Sequence, residues 1–261
     1  MLPFPPIDPV IFSIGPFQVR WYGMMYLFGF LASYLLVLFQ IRRQKTPALT
    51  QDQVSDLYVY AIFGLILGAR LGYVFFYSFK EYLQHPQEIL AIWHGGMSFH
   101  GGLLGVYIAA WLFCRKRHIS LWGLGDLIIV TAPIGLGLGR LANFINGELY
   151  GRITEAPWGM VFPQGGQWPR HPSQLYEAFL EGFVLFILLW WRKGKNRYPG
   201  GMVAQFFIFY GIFRIVVEFF REPDPQVGYL LKVFTLGQFL SALMILFGVI
   251  LAYINRRKAS S

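Results

Sequence analysis

Apolar runs long enough to cross a membrane recur along the whole chain. A transmembrane helix needs about 20 consecutive, mainly apolar residues. Runs of this kind lie near residues 21–40, 57–79, 98–113, 123–145, 174–191, 201–220 and 235–254. The third run is short, and the fourth and fifth carry polar residues. The pattern predicts an all-α integral membrane protein, a bundle of seven transmembrane helices in which residues 1–261 form a single polytopic membrane domain.

Basic residues between the runs determine the predicted orientation, because short loops rich in Lys and Arg stay in the cytoplasm. Basic clusters follow the first, third, fifth and seventh runs: Arg42, Arg43 and Lys45; Arg115, Lys116 and Arg117; Arg192, Lys193, Lys195 and Arg197; Arg256, Arg257 and Lys258. All four clusters fall on one side of a topology with seven spans. The sequence therefore predicts a periplasmic N-terminus and a cytoplasmic C-terminus. The N-terminal segment MLPFPPIDPV contains no basic residue, so it does not resemble a cleaved signal peptide.

Composition excludes several other classes of protein. Only 13% of the residues are charged, against about 25% in an ordinary soluble domain, so a water-soluble fold is excluded. The net charge of +9 does not indicate a nucleic-acid partner, because the 22 Lys and Arg residues lie between the apolar runs and not in one patch. Cys114 is the single cysteine, which leaves no intrachain disulfide and no cysteine cluster for a metal.

The segment near 146–173 is a long external loop on this topology. It contains several Gly and Pro residues and is longer than a simple connection needs. It is either a lid or binding element or a passive solvated loop. In the second run, Gly64, Gly68 and Gly72 recur every fourth position, a spacing that predicts close helix packing without a chemical role.

Arginines inside the apolar runs are candidates for function, since a central charge costs about 2.5–3.5 kcal/mol on insertion scales. Arg70, Arg140 and Arg214 are the three cases. At about 1.5 Å per residue from the outer helix ends, Arg140 and Arg214 lie at matching depths of roughly 8 and 9 Å. Both are therefore expected on the external side.

The sixth run places its polar residues on one helical face: Tyr210, Arg214, Glu218 and Arg221. In one interpretation Glu218 simply neutralises Arg214 as its neighbour one turn away. In the other, two arginines against one glutamate leave a surplus positive charge that suits a bound anion.

The fourth and fifth runs also contain grouped polar residues. Arg140, Asn143 and Gly147 share a face if the helix continues that far, and Asn146 and Glu148 then lie near its mouth. Three glycines before Arg140 permit close approach of a backbone or a ligand: Gly135, Gly137 and Gly139. In the fifth run a second polar face comprises Gln174, Glu177 and Glu181. That face is either part of a site or an ordinary acidic bias near a helix N-terminus.

His100 lies in GGMSFHGG, residues 95–102, where the neighbouring glycines leave its imidazole open to approach. It is either a structural histidine whose ring nitrogens have hydrogen-bond partners or a proton acceptor in catalysis. Metal binding is not indicated, because the spacing of the histidines provides no i, i+4 pair: His85, His94, His100 and His171.

Together these segments resemble the prolipoprotein diacylglyceryl transferases. The resemblance rests on RWYGMMY at 20–26, GGMSFHGG at 95–102, GRLANFINGELYGR at 139–152, RHPSQLYE at 170–177 and YGIFRIVVEFFREPD at 210–224. It implies an enzyme of the bacterial inner membrane whose active site faces the periplasm. Such an enzyme transfers the diacylglyceryl group of phosphatidylglycerol, a membrane lipid, to the lipobox cysteine of a prolipoprotein signal peptide. The products are a thioether and glycerol phosphate, and no metal or organic cofactor is expected.

The same resemblance implies roles for individual residues. His100, Arg140 and Arg214 are expected to be catalytic, and Arg140 also to bind substrate. The further substrate-binding residues are expected to be Tyr22, Asn143, Glu148, Gly151, Tyr210, Glu218 and Arg221.

The chemistry of the residues agrees with this reaction. A thiol must lose its proton and displace a phosphate ester, so the site needs a proton acceptor and anion-binding groups. Arginine supplies planar, permanently charged donors for phosphate. His100 is the first choice as proton acceptor and Glu148 the second. The alternative function is a transporter of an anionic lipid or solute without covalent chemistry, although the chain lacks the two repeated halves that many transporters show.

Overall fold

A computed structural model describes residues 2–15, 17–43, 49–91, 95–195, 198–222, 229–230 and 234–259. Lys45, His94 and Arg197 lie outside these ranges. The helices are α1 (Trp21–Arg42), α2 (Gln51–Phe76), α3 (Phe79–Gln84), α4 (Phe99–Arg117), α5 (Leu121–Ile129), α6 (Ala132–Ile145), α7 (Ser173–Arg192), α8 (Gly201–Glu218) and α9 (Leu236–Lys258). A 3₁₀ turn, Pro86–Leu90, follows α3.

Five of the described helices are long and apolar enough to cross a membrane: α1, α2, α7, α8 and α9. The bent pair α5 and α6 brings the number to six if it forms one span. Helix α4 is not among them, because it contains three glycines, His100 and a basic last turn, which lower its mean hydropathy. Large apolar side chains on the helices are exposed, including Phe63, Leu67 and Phe75 on α2. Such surfaces suit lipid as the surrounding solvent.

The fourth apolar run differs from its prediction as one straight helix over 123–145. It forms two helices, α5 and α6, whose axes differ by 46°. Pro133 in the first turn of α6 has no N–H, and its ring opposes the carbonyl four residues earlier. The Thr131 hydroxyl donates to the carbonyl of Ile128 at 2.7 Å within the break. At the other end, α6 stops at Ile145 and Gly147 has a φ of +68°. The helix does not continue far enough for Gly147 to share a face with Arg140.

Short strands add to the helical architecture that the sequence predicts. Strand β1 (Leu2–Pro3) pairs in parallel with β4 (Met160–Val161). Strand β2 (Val10–Ile14) forms an antiparallel hairpin with β3 (Phe17–Arg20), and β5 (Tyr229–Leu230) pairs with β6 (Phe234–Thr235). The amide of Leu2 also donates to the carbonyl of Gly159 at 3.0 Å. The long loop is therefore tied to the N-terminal segment.

The chain divides into two compact units, one formed by Met1–Leu36 with Gly125–Ser261 and the other by Val37–Leu124. In the second unit, α2 packs on α4 through glycine. A Cβ on Gly72 would lie 2.7 Å from the Cα of Gly101, and one on Gly64 would lie 2.6 Å from the carbonyl oxygen of Gly105. The packing role predicted for the glycines of the second run is confirmed.

Arg70 also serves the structure of the second unit. Its side chain is buried and donates to the carbonyls of Ile89 at 2.9 Å, Glu88 at 2.5 Å, Gly95 at 2.5 Å and Gly96 at 3.1 Å. These bonds satisfy a buried cation with backbone acceptors, as a buried charge requires. Arg70 thereby fixes the segment that leads to α4.

In the first unit, α6 approaches α7 through Gly137 and Gly182, where a Cβ on Gly182 would lie 2.7 Å from the Cα of Gly137. The close approach predicted for the glycines before Arg140 is thus confirmed at Gly137. Asp126 accepts hydrogen bonds from the amides of Gly200 and Met202 at 2.7 and 2.8 Å, which caps the start of α8. The middle of α7, Ala178–Val184, is π-helical, a form that often occurs at functional sites.

Candidate active site

Two arginines from different helices of the first unit meet at one glutamate. Glu177 of α7 places Oε2 2.6 Å from Nε of Arg140 on α6 and 2.9 Å from Nη1 of Arg214 on α8. Glu177 is fully buried, and Arg214 is 8% exposed. The structure thus brings together the two arginines that the sequence places at matching depth.

Arg214 contacts two further carboxylates. Its Nη1 lies 3.6 Å from Oε1 of Glu181, and its Nη2 lies 3.2 Å from Oε2 of Glu218. The charge count from the sixth run alone is therefore incomplete, because two carboxylates from α7 also contact Arg214. The interpretation of the α7 glutamates as an N-terminal acidic bias is wrong, since both are buried and both contact arginine.

Glu177, Glu181 and Gly237 are missing from the predicted site residues. The two glutamates had a detectable signal, because they share one helical face with Gln174. Gly237 had none. A Cβ on Gly237 would lie 2.6 Å from the Glu218 carboxylate, whose Oε1 accepts a hydrogen bond from the Thr235 hydroxyl at 3.0 Å. The start of α9 therefore leaves space for this carboxylate.

Glu148 is held at the end of α6 by two amides. Its Oε1 accepts hydrogen bonds from Nδ2 of Asn143 at 2.9 Å and Nδ2 of Asn146 at 3.1 Å. The Gln174 side chain donates to the carbonyl of Glu148 at 2.6 Å. Leu149 then adopts a φ of +57°, in the left-handed region that a non-glycine residue rarely occupies. The predicted residues Asn143 and Glu148 thus form one unit in which the amide orients the carboxylate.

Two predicted tyrosines also belong to the first unit. The Tyr22 hydroxyl lies 3.3 Å from the Tyr26 hydroxyl, and the Tyr22 side chain is partly exposed. Tyr210 lies one turn before Arg214 on α8, with its ring stacked on Phe206 at a centroid distance of 5.5 Å. Both hydroxyl groups are able to donate or accept a hydrogen bond.

Gly151 lies where three backbone segments meet. Its amide donates to the carbonyl of His171 at 2.8 Å, and it forms an isolated bridge with Arg221. Arg152 donates from Nε to the carbonyl of Arg221 at 2.7 Å. Arg221 in turn places Nη1 3.9 Å from Oε2 of Glu218. Gly151 therefore connects the loop to the end of α8, next to the carboxylate that contacts Arg214.

We expect Gly151→Ala to lower both stability and activity. A Cβ on Gly151 would lie 2.8 Å from the Cβ of His171 and closer still to the carbonyl oxygen of Phe220. Overpacking of this kind costs about 1–3 kcal/mol. The melting temperature in detergent and the turnover of the variant should both fall. Gly135→Ala is the matched control, because open space surrounds a Cβ there in the described structure, and equal values for the two variants would contradict the assignment.

An apolar cavity of about 390 Å³ lies between α7 and α8 in the first unit. Its lining comprises Trp158, His171, Leu175, Tyr176, Phe179, Leu180, Val216, Val217 and Phe220. The Tyr176 hydroxyl lies 3.1 Å from Nδ1 of His171 and accepts a hydrogen bond from Nε1 of Trp158 at 2.7 Å. Burial lowers the pKa of the His171 imidazole, which favours its neutral form. This cluster attaches the long loop before α7 to α7 itself.

His100 belongs to the second unit, at the start of α4. Its ring is exposed and lies 5.7 Å from the Phe99 ring. Ser98 caps the helix by accepting a hydrogen bond from the amide of Gly101 at 3.2 Å. The predicted site residues are thus divided. His100 lies in one unit, and the arginines, Asn143, Glu148 and their neighbours lie in the other.

No group of three or more His, Cys, Asp or Glu side chains with the arrangement of a metal site occurs in the described ranges. The carboxylates around Arg214 contact arginine nitrogens instead. The chemistry available to the cluster is therefore that of guanidinium and carboxylate groups, which suits the binding of an anion by charge-assisted hydrogen bonds.

Comparison with known proteins extends the resemblance over the whole chain. The model of the family described as prolipoprotein diacylglyceryl transferase matches residues 9–254. A protein of Rhodospirillum rubrum is 54% identical over 260 residues, which cover 98% of this chain and 95% of the relative. Proteins of Geobacter sulfurreducens and Desulfotalea psychrophila are 53% and 49% identical and cover 98% and 97% of their own lengths, in each case with 98% of this chain. All three relatives are named phosphatidylglycerol–prolipoprotein diacylglyceryl transferase.

Proposed function

The chain belongs to the prolipoprotein diacylglyceryl transferase family, and we propose that it transfers the diacylglyceryl group of phosphatidylglycerol to the lipobox cysteine of a prolipoprotein. The cysteine sulfur forms a bond to a glyceryl carbon of the lipid. The bond between that carbon and the phosphate oxygen breaks, so the products are a thioether and glycerol phosphate. The observation that carries the proposal at the level of the site is the pair of arginines bridged by buried Glu177.

This pair supplies what the leaving group requires. A phosphate diester carries one negative charge, and the released glycerol phosphate carries more. A guanidinium held in a buried position stabilises such charge without prior reorganisation. Glu177 compensates the two arginines before the lipid binds, as buried cations need a counter-charge. Arg140 is thus assigned to phosphate recognition, and both arginines are assigned to stabilisation of the negative charge that develops on the leaving group.

The thiol proton needs an acceptor, and we assign that role to His100. Its imidazole is exposed at the start of α4 and is followed by two glycines. Glu148 is the second choice, because its Oε1 already accepts two amide hydrogen bonds. Cys114 is not the acceptor of the lipid, because it is buried near the basic end of α4. The acceptor cysteine comes from the substrate.

The remaining assigned residues support these groups. Tyr22 and Tyr210 offer hydroxyl groups for the lipid head, and Asn143 orients Glu148. Glu218 contacts both Arg214 and Arg221. Gly151 allows the close backbone contacts with His171 and Arg221 beside these residues.

A direct assay tests the proposed function. Purified protein is incubated with phosphatidylglycerol and a lipobox peptide, and the products are analysed by mass spectrometry. Glycerol phosphate should be released, and the peptide should gain the mass of a diacylglyceryl group. A peptide without its cysteine is the control. Lipid movement across vesicles without either product would favour the transporter instead.

We also propose seven spans in the bacterial inner membrane, with the active site on the periplasmic side. Reporters fused after Arg43, Arg117, Arg197 and Arg257 should behave as cytoplasmic, because basic clusters mark that side. Reporters inserted near Gln84 and Gly165 should behave as periplasmic. Activity of paired cytoplasmic and periplasmic reporters measures each position. A reversed pattern at Gln84 or Gly165 would contradict the external placement of the site.

A further inference from the structure

The two arginines of the active site differ in how their nitrogens are used. Arg214 engages Nη1 with Glu177 and Glu181 and Nη2 with Glu218, and its side chain is 10% exposed. Arg140 contacts Glu177 through Nε, and its side chain is 23% exposed. In the described part of the chain, the terminal amino groups of Arg140 donate no hydrogen bond, and the ion pair with Glu177 runs through Nε. Arg140 therefore retains a donor pair, whereas Arg214 is committed to carboxylates.

An arginine held through Nε retains the geometry that phosphate recognition uses. The guanidinium is planar, and its donors form a rigid fork that bonds two phosphate oxygens at once. A contact at Nε fixes the plane of that fork. Glu177 makes this contact with the same Oε2 that binds Arg214, and its Oε1 is buried without a hydrogen-bond partner.

We propose that Glu177 is a positioning residue that holds Arg140 through Nε, so that the two terminal amino groups of Arg140 face the phosphate of the lipid substrate. Arg214 acts through Glu177, because it anchors the carboxylate that orients Arg140. This inference rests on the proposed function and assigns different roles to the two arginines. Arg140 contacts the phosphate, and Arg214 holds the Glu177 carboxylate in place.

A simpler account holds that Glu177 only neutralises buried positive charge. Glu181 permits a test of that account, because it lies one turn further along α7 and is equally buried. Its Oε1 lies 3.6 Å from Nη1 of Arg214, and among the described residues it forms no ion pair with Arg140. If only charge neutralisation mattered, a substitution by aspartate, which keeps the charge, would have a small effect at both positions. Positioning makes Glu177 sensitive to the length of its side chain and Glu181 much less so.

The experiment compares Glu177→Asp with Glu181→Asp. Both substitutions keep the charge and withdraw the carboxylate by one methylene. For Glu177→Asp, we expect the KM for phosphatidylglycerol and the inhibition constant of glycerol phosphate to rise by about 10- to 100-fold, because a misplacement of about 1 Å has effects of this size. For Glu181→Asp, whose carboxylate contacts Arg214 only at 3.6 Å, each constant should also rise, but at least about 3-fold less than for Glu177→Asp. Equal changes in the two variants would overturn the proposal.

A double-mutant cycle with Arg140→Lys provides the second measurement. Lysine keeps the charge but has neither Nε nor the fork. If Glu177 acts through Arg140, Glu177→Asp should add little to the loss already caused by Arg140→Lys, since coupled residues are not additive. Losses that simply multiply would contradict the proposal. If Glu177→Asp does not fold, Glu177→Gln is compared with Glu181→Gln in both measurements. Both variants keep the side-chain volume and lose the same charge, and equal losses would likewise overturn the proposal.

The wild-type protein separates this inference from the proposed function. If it releases glycerol phosphate and modifies the peptide but the variants show no difference, the positioning role fails alone. If it forms neither product, the proposed function fails. Direct calorimetric binding of glycerol phosphate to the same variants then tests the positioning of Arg140 without turnover, with the same expected order of affinities.

Discussion

Arg140→Ala should lower kcat/KM by about 10²–10³, the loss typical when one preorganised donor to a developing oxyanion is removed. The measurement is the rate of glycerol phosphate release at several lipid concentrations. Folding is checked by membrane insertion and by the melting temperature in detergent. Arg140→Lys should restore only part of the activity, because an ammonium group does not bond two phosphate oxygens with a planar fork.

Arg214→Ala should have at least as large an effect, for a different reason. Its removal leaves Glu177, Glu181 and Glu218 buried with less counter-charge, and breaking a buried pair costs about 3–5 kcal/mol. Arg214→Lys should not restore the normal rate, since one ammonium cannot reproduce the contacts that Nη1 and Nη2 make to α7 and α8. A correctly inserted Arg214→Lys protein with a normal rate would contradict this assignment.

Cys114→Ser is the control for both arginines. Cys114 is buried near the end of α4, in the unit that does not contain Arg140 or Arg214. The variant should retain the full transfer rate. Loss of transfer in a folded Cys114→Ser protein would instead indicate a covalent intermediate on the enzyme.

His100→Gln should reduce the rate by about 10²–10⁴, as expected when a general base is lost. Glutamine keeps a polar side chain of similar reach but accepts no proton. Between a free imidazole, with a pKa of about 6.5, and a free thiol, with a pKa of about 8.5, proton transfer is uphill by about 2 units or roughly 2.7 kcal/mol. Such a cost is small compared with the barrier that the enzyme must overcome.

The pH dependence distinguishes a proton acceptor from a structural histidine at position 100. The deficit of His100→Gln should shrink as the pH rises, because a larger fraction of the substrate thiol then ionises without help. His85→Gln, an exposed histidine of the same unit, should keep the wild-type rate and profile. If His100→Gln also does so, His100 is structural and Glu148 becomes the leading proton acceptor.

Local sequence patterns predicted the positions of the helices but not their interruptions. The apolar runs correspond to α1, α2, α4, the α5 and α6 pair, α7, α8 and α9 to within a few residues at most ends. The break at Pro133 was detectable in principle, since proline disrupts a helix interior. The pairing of β1 with β4 was not detectable, because two-residue strands leave no periodicity and their partner is distant in sequence.

The candidate site shows the same limit. The matching depth of Arg140 and Arg214 followed from counting residues along two helices. Their connection through Glu177 did not, because which helix faces α7 is decided by tertiary packing, here the contact of Gly137 with Gly182. Glu181 was visible on a polar face of α7 but had two possible explanations. The role of Gly237 depended on the position of one distant carboxylate.

The π-helical turn at Ala178–Val184 implies a trade-off between thermal stability and catalysis. Such a turn is a rare and locally unfavourable form of helix, and it accommodates an extra residue relative to an α-helix. Deleting one residue there should give a more regular helix while rotating Glu177 out of register with the residues that follow. Selection for thermal stability alone would therefore favour sequences in which this segment is a regular α-helix. Stabilising changes of this kind often lower activity. We therefore expect a variant that lacks one residue of this turn to lose transfer activity, because the turn sets the register between Glu177 and the residues that follow it.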